Sequence, residues 1–320
     1  MKDRVVSESL ISIIIPAYNE ESNIAILLGK LVLALESYKY EIIFIDDGST
    51  DNTLGIIAKI HHEMPNVHFI SFSRNFGHQN ALKAGIDYSN GDLIISMDAD
   101  LQHPPYIIKE MIMKWEEGFD IVYTKRIEQP DLPLFKKLTS TFFYKTLNLL
   151  SDTSIDSGTS DFRLIDKEIA NLIRHTTESN LFLRGFISWL GFKQYKIVFS
   201  PEKRHSGKTK YSFVKMLGFG LNGITSFSIK PLRLSIYLGL LVSSIAFVYA
   251  FYAIYIYFFT QKVVSGWTSV LASVLFLGGV QLFILGIIGE YLGKMFMNVK
   301  KRPDYIITNT SLNKSHDKDS

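Results

Sequence analysis

No cysteine occurs anywhere in the 320 residues. Disulfides, thiolate nucleophiles and cysteine-ligated zinc are therefore excluded, and the chain suits a reducing compartment. A surplus of one charge is missing too: 34 Lys and Arg stand against 31 Asp and Glu, a net +3 that gives no warrant for a nucleic-acid partner. No Gly-x-Gly-x-x-Gly or Walker-type loop follows any apolar run, so dinucleotide and P-loop chemistries lose their main support. Met1 to Glu8 is polar, so no cleavable signal peptide is expected and membrane attachment must come from internal segments.

What is present is an alternation of short apolar runs with helical spacings. Leu10–Ile15, Glu41–Ile45, Val67–Phe72 and Asp92–Met97 read as buried parallel strands, with Phe119–Thr124 as a fifth and Tyr195–Phe199 as a later one. Between them Glu20–Ser37, Leu54–Ile60, Gln79–Tyr88 and Ile107–Glu117 carry helical periodicity, the last with Pro104 and Pro105 in its first turn. Strand followed by helix, repeated, implies an α/β fold with a Rossmann-like open sheet. Ligands of such sheets sit beyond the carboxyl ends of the strands, and three acidic loops fall there. These are Pro16-Ala17-Tyr18-Asn19-Glu20, Asp46-Asp47-Gly48-Ser49 and Asp98-Ala99-Asp100-Leu101-Gln102. Period-two alternation would put Asp98, Asp100 and Gln102 on one side of the chain, a set of hard oxygens suited to Mg2+ or Mn2+ that shares its coordination with phosphate. His78 reads as a solvated loop histidine rather than a base.

The last third changes character. Leu234–Phe259 and Val263–Gly289 contain no charged residue, and each exceeds the ~20 residues needed to cross a bilayer core. Lys203, Arg204, Lys208, Lys210, Lys215, Lys230 and Arg233 precede the first run and Lys294, Lys300, Lys301 and Arg302 follow the second, which by the positive-inside rule puts both flanks in the cytoplasm. The expected organisation is a catalytic domain over 1–210, an interfacial amphipathic helix over 211–231, two transmembrane helices within 232–292 (about 234–259 and 265–289) and a cytoplasmic tail over 293–320, polar and disordered from Thr308. Leu132–Leu150 reads equally as a membrane-surface helix or an ordinary surface helix. A stripe of Gly278, Gly279, Gly286 and Gly289 could pack against another copy of the chain.

Asp98 to Pro105 resembles the metal and nucleotide-sugar motif of inverting family-2 glycosyltransferases. The polyprenyl-phosphate branch is the nearest in pattern, with its dolichyl-phosphate mannose synthases and bactoprenol glucosyltransferases. Gly158-Thr159-Ser160-Asp161-Phe162-Arg163 is similar to that family's Gly-x-x-Asp-Phe-Arg signature. The resemblance implies a GT-A catalytic domain with a two-helix hairpin at an inner membrane, a nucleotide-sugar donor, UDP-glucose foremost, and polyprenyl phosphate as acceptor. It implies donor contacts at Pro16, Tyr18, Glu20, Ile45, Asp47, Asp98, Ala99 and Arg126, metal ligation by Asp98, Asp100 and Gln102, and catalytic roles for Asp161, Asp100 and Arg163. Arg204, Lys208 and Lys210, beside a membrane interface, would hold acceptor phosphate or anionic lipid. Asp161 is the implied general base. Because the second pKa of a phosphate monoester lies near ~6, the acceptor is already largely dianionic at pH 7, and orienting Arg163 or the acceptor is the alternative role. GDP-mannose, UDP-galactose, UDP-N-acetylglucosamine and a modified arabinose remain open as donors. The rival classes are a processive polysaccharide synthase, whose Gln-x-x-Arg-Trp motif is missing, and a non-enzymatic membrane partner-binding module.

Overall fold

The computed structural model describes residues 4–127, 159–178, 181–200, 225, 228–260 and 266–312. They belong to two units, one holding the sheet together with residues 302 onward, the other holding two long helices.

In the first unit the elements run β1 (Leu10–Ala17), α1 (Ile24–Leu35), β2 (Lys39–Asp46), α2 (Thr53–Glu63), β3 (Val67–Phe72), α3 (His78–Tyr88), β4 (Leu93–Ser96), α4 (Ile107–Glu116), β5 (Ile121–Arg126), β6 (Thr159–Asp166), α5 (Lys167–His175), α6 (Leu183–Trp189) and β7 (Gln194–Phe199). The second unit holds α7 (Lys230–Thr260) and α8 (Trp267–Val299), after which β8 (Ile307–Thr310) rejoins the sheet. The eight strands are ordered β7-β5-β6-β4-β1-β2-β3-β8. β4, β1, β2 and β3 are mutually parallel, as crossover helices require. β6 enters antiparallel between β4 and β5, and β8 runs antiparallel along β3, so the sheet is mixed.

The β-branched runs of β1 and β2 are buried on both faces, and Leu27, Leu31 and Leu35 of α1 close one side. Each such side chain, fully withdrawn from water, contributes about 1.5–3 kcal/mol. On the other side α3 approaches closely enough that a Cβ at Gly85 would stand 2.2 Å from Ile14 Cγ2. A larger residue there would force α3, and the residues at its start, off the sheet.

Two expectations change. β6 was not foreseen as a strand, and the tail is not disordered from Thr308, because Ile70, Ser71 and Phe72 pair with Thr310, Asn309 and Ile307. The edge of β3 is thereby covered. Within the second unit, Lys230–Tyr252 and Ala272–Val299 are long and apolar enough to cross a membrane by length and composition. The Tyr291 hydroxyl donates to the Ser228 carbonyl at 2.6 Å, which brings the far end of α8 back to the start of α7. Large apolar side chains such as Leu240, Val248 and Leu282 face outward along both helices, a surface that water does not favour. The stretches 132–150 and 211–224, expected as amphipathic helices, lie outside the described residues.

Candidate active site

The loops after β1, β2 and β3 are stitched together by short polar side chains. Asn19 takes a left-handed backbone (φ 56°), which asparagine tolerates. Its Oδ1 accepts the Thr50 N–H at 2.8 Å while its own N–H donates to Ser49 Oγ at 3.0 Å. Asp46 accepts from the Ser49 N–H (3.1 Å) and the Ser71 hydroxyl (2.9 Å). Asp47 accepts from the Phe76 N–H at 2.7 Å and the Gly77 N–H at 3.0 Å. Burial pushes the Asp47 carboxyl up, and the two N–H groups pull it only part of the way back. Between them Gly48 sits at φ 68°, where a Cβ would lie 2.5 Å from the Arg74 carbonyl carbon, so only glycine lets the second and third loops meet.

The acidic loop after β4 is a turn. The strand ends at Ser96, and Leu101 adopts φ 62° while 5% exposed, so period-two alternation does not carry on to Gln102. Asp98, Asp100 and Gln102 are gathered instead by the turn itself, in which Asp100 Oδ1 accepts the Gln102 N–H at 3.2 Å. The turn rests on His103, which is fully buried. Its Nδ1 accepts the Asp98 N–H at 3.0 Å, so the neutral ring carries its proton on Nε2 and donates it to Ser160 Oγ at 2.6 Å. Burial pushes the His103 pKa down against the opposing pull of Asp98, which keeps the ring neutral. Arg126, at the end of β5, donates to Gln102 Oε1 at 2.9 Å and lies 3.7 Å from Asp98 Oδ2. Its 3.1 Å approach to His103 Nε2 brings two donors together, so Gln102 and Asp98 hold the guanidinium rather than the ring.

The third feature is built on β6. Its central Asp161 and Arg163 are buried, and the Ser96 hydroxyl donates to the Asp161 carbonyl at 2.5 Å. Arg184 of α6 grips the Asp161 carboxylate with two prongs, Nε to Oδ1 at 2.7 Å and Nη2 to Oδ2 at 2.6 Å. Arg163 Nη2 stands 3.4 Å from Oδ1. Burial alone would raise the Asp161 pKa, but the charge and hydrogen bonds of Arg184, with help from His78, hold it well below the usual carboxylate range. Burial lowers Arg163 to about 10, which leaves it charged at neutral pH. His78 is not a simple solvated loop residue. Its Nε2 lies 3.3 Å from Asp161 Oδ2 and 3.5 Å from Asp98 Oδ1, joining the two acidic groups. Burial lowers its pKa, but these carboxylates outweigh that and raise it.

Of the other expected donor residues, Tyr18 is exposed at the rim and Glu20 donates its N–H to Thr53 Oγ1 at 2.9 Å. Pro16 lies in β1, and Ala99 is almost wholly covered. Ile45 is fully buried against Gly85 of α3, directly before Asp46 and Asp47. Lys203, Arg204, Lys208 and Lys210 lie outside the described residues. Arg184 went unnoticed in the sequence, where Leu183-Arg184-Gly185-Phe186 gives no sign of its partner.

Among the described residues no group of three or more His, Cys, Asp or Glu side chains forms a metal cage. Two carboxylates and an amide oxygen on an open turn, with Asp98 28% exposed, fit a different kind of site. Mg2+ or Mn2+ takes only one or two carboxylates from the protein there and completes its shell with substrate phosphate.

Residues 12–173 match the model of glycosyl transferase family 2, and residues 230–295 match the GtrB C-terminal hairpin. YkcC of Bacillus subtilis (strain 168), described as an uncharacterized glycosyltransferase, is 42% identical over 298 residues, 92% of each chain. The bactoprenol glucosyl transferase of Shigella phage SfII is 40% identical over 299 residues, 93% of this chain and 97% of its own. Among solved structures, mannosyl-3-phosphoglycerate synthase from Rubrobacter xylanophilus aligns with a TM-score of 0.49 and 14% identity, covering 71% of this chain and 74% of that one.

Proposed function

The chain belongs to glycosyl transferase family 2, and from that premise we propose that it moves glucose from UDP-glucose to undecaprenyl phosphate at the cytoplasmic face of a membrane. The observation that carries this reading is the meeting of an open Asp98–Asp100–Gln102 turn with a second carboxylate, Asp161, whose charge the protein already balances. The hairpin supports a lipid acceptor, and the 40% identity to a protein named for bactoprenol glucosylation, over nearly the whole of both chains, supports the sugar and the carrier.

The three stitched loops cradle the nucleotide, with Asp47 facing base or ribose donors. Asp98, Asp100 and Gln102 would hold Mg2+ or Mn2+ against the donor diphosphate; a cation bound there neutralises charge on the departing UDP. Arg126, which donates to Gln102, would donate to the same diphosphate oxygens. An oxygen of the acceptor phosphate attacks C1 from the face opposite the diphosphate, and the C1–O bond breaks with its electron pair staying on UDP, so the configuration inverts. Asp161, gripped by Arg184 and held at a low pKa, is a poor proton acceptor, and a dianionic acceptor needs none. Its part is to hold Arg163 and Arg184 where a phosphate can meet them. Arg204, Lys208 and Lys210 extend that cationic path toward anionic lipid and acceptor.

That residues 302–312 rejoin the sheet that precedes α7 supports an even number of crossings. The basic flanks support a cytoplasmic catalytic domain. The test is to incubate membranes containing the protein with radiolabelled nucleotide sugars and undecaprenyl phosphate. Label from UDP-glucose should enter an organic-soluble product in the presence of Mg2+ or Mn2+. Transfer only from GDP-mannose would overturn the sugar, and transfer to no lipid would overturn the reading.

A further inference from the structure

Residues 302–312, beyond the two long helices, use more contacts than a tether needs. The Tyr305 ring stacks on Phe72 at 5.2 Å and 14°, and its hydroxyl donates to Asp87 Oδ2 at 2.8 Å. Asp87 is itself paired with Lys83 along α3, so the hydroxyl is built into a buried polar group. The Ser73 N–H donates to the Ile306 carbonyl at 3.0 Å, and the Thr308 hydroxyl donates to the Ser71 carbonyl at 3.2 Å.

These contacts converge on the β3–α3 loop. Phe72 meets Phe76 edge to face at 5.7 Å, and the Phe76 N–H is the shorter of the bonds that fix the Asp47 carboxylate. Ser71, whose carbonyl takes Thr308, gives its hydroxyl to Asp46. Two chains of contact therefore run from the strand after the hairpin to the paired acids of the nucleotide loops, each through one intervening residue or two. Aromatic pairs of this kind are worth more than their buried area alone and fix the relative orientation of the rings.

We propose that Tyr305 is a positioning residue for the nucleoside-diphosphate pocket: through Phe72 and Phe76 it sets the loop whose N–H groups aim Asp47. The inference rests on the reading that Asp47 serves the donor. It gives the returning strand a role in catalysis distinct from anchoring.

The test uses the full-length protein in membranes or detergent. UDP affinity is measured by calorimetry, and KM is measured separately for UDP-glucose and undecaprenyl phosphate. Tyr305→Leu should weaken UDP binding and raise donor KM by roughly three- to tenfold while acceptor KM stays put, the size expected for a displaced contact. Tyr305→Phe, which keeps the ring stack, should restore most of the loss. In an Asp47→Asn background Tyr305→Leu should add almost nothing, since neighbours in one network do not act additively. If Tyr305→Leu does not fold, Tyr305→His, with a smaller planar ring, carries the same expectation at smaller size. Wild type and Tyr305→Leu binding UDP equally well, or the two losses adding in full, would overturn the inference alone. A wild type that binds no nucleotide at all would instead sink the functional reading beneath it.

Discussion

Asp161 and the Asp98–Asp100 turn are joined through His78, yet their charges are met in opposite ways. Asp161 is 4% exposed and has a guanidinium on both oxygens, supplied by its own chain. Asp98 is open to solvent over 28% of its side chain, and its nearest cationic groups, His78 and Arg126, stand off at 3.5 and 3.7 Å. A buried carboxylate that is already paired has spent its capacity on geometry: it fixes Arg163 and Arg184 and has little appetite for a proton. Asp98, partly open and met only by longer ion pairs, is the acid that a cation from outside can still approach. Under the proposed function the two acidic groups do different work, Asp161 structural and the Asp98–Asp100 turn for a ligand.

The largest effect should follow from removing the receptive charge. Asp100→Asn is expected to lower glucosyl transfer at least about a hundredfold, the scale on which preorganised electrostatic stabilisation acts, and excess chelator should do the same to the wild type. Full activity in Asp100→Asn with chelator present would erase the distinction between the two acids. Next in size is the cost of stripping the paired acid of its partner. Arg184→Ala leaves Asp161 buried with only the longer His78 and Arg163 contacts, and should reduce unfolding stability by about 3 kcal/mol. Adding Asp161→Asn to Arg184→Ala should recover most of that stability but none of the activity. If denaturation finds Arg184→Ala as stable as wild type, the ion pair is not what holds Asp161.

The same contrast explains what could be read in the sequence. β1, β2, β3 and β4 are continuous apolar runs, and loops at their carboxyl ends follow from the parallel topology, so the acidic turn could be placed before its geometry was known. β6 could not, because Thr-Ser-Asp-Phe-Arg-Leu-Ile-Asp puts opposite charges at Asp161 and Arg163, two residues apart, and a hydropathy pattern cannot see that the two charges offset each other inside the protein. Arg184 and His78 were illegible for the related reason that their partners are distant in sequence: Arg184 lies 23 residues from Asp161, and His78 meets it only because α3 starts at the end of β3. β8 is a four-residue polar edge strand whose order comes from β3, not from its own composition. The basic residues 203–210 were legible as a charge cluster beside an apolar run, and lie outside the described residues.

The smallest effects concern pH, and they sharpen the comparison most. Asp161 has a folded pKa below its unfolded value of about 3.9, so its stabilising contribution is complete above that value and fades as pH falls toward the folded pKa. The difference in unfolding free energy between wild type and Asp161→Asn should therefore widen somewhat as pH falls from 7 to about 5, where His78, whose pKa Asp161 helps to raise, becomes charged, and narrow only in stronger acid as Asp161 itself is protonated. A general base would behave otherwise. Were Asp161 taking the acceptor's proton, Asp161→Asn would regain rate as rising pH removes that proton without help, with the recovery centred near the phosphate's second pKa of ~6 and complete by pH 8. If Asp161 only holds Arg163 and Arg184, the variant's residual rate should follow the wild-type profile between pH 7 and 9 at a constant fraction, because a misplaced guanidinium is not restored by hydroxide. Steep recovery toward wild type would return Asp161 to the role of base and make the open and the paired acid alike in chemistry, leaving burial as their only difference.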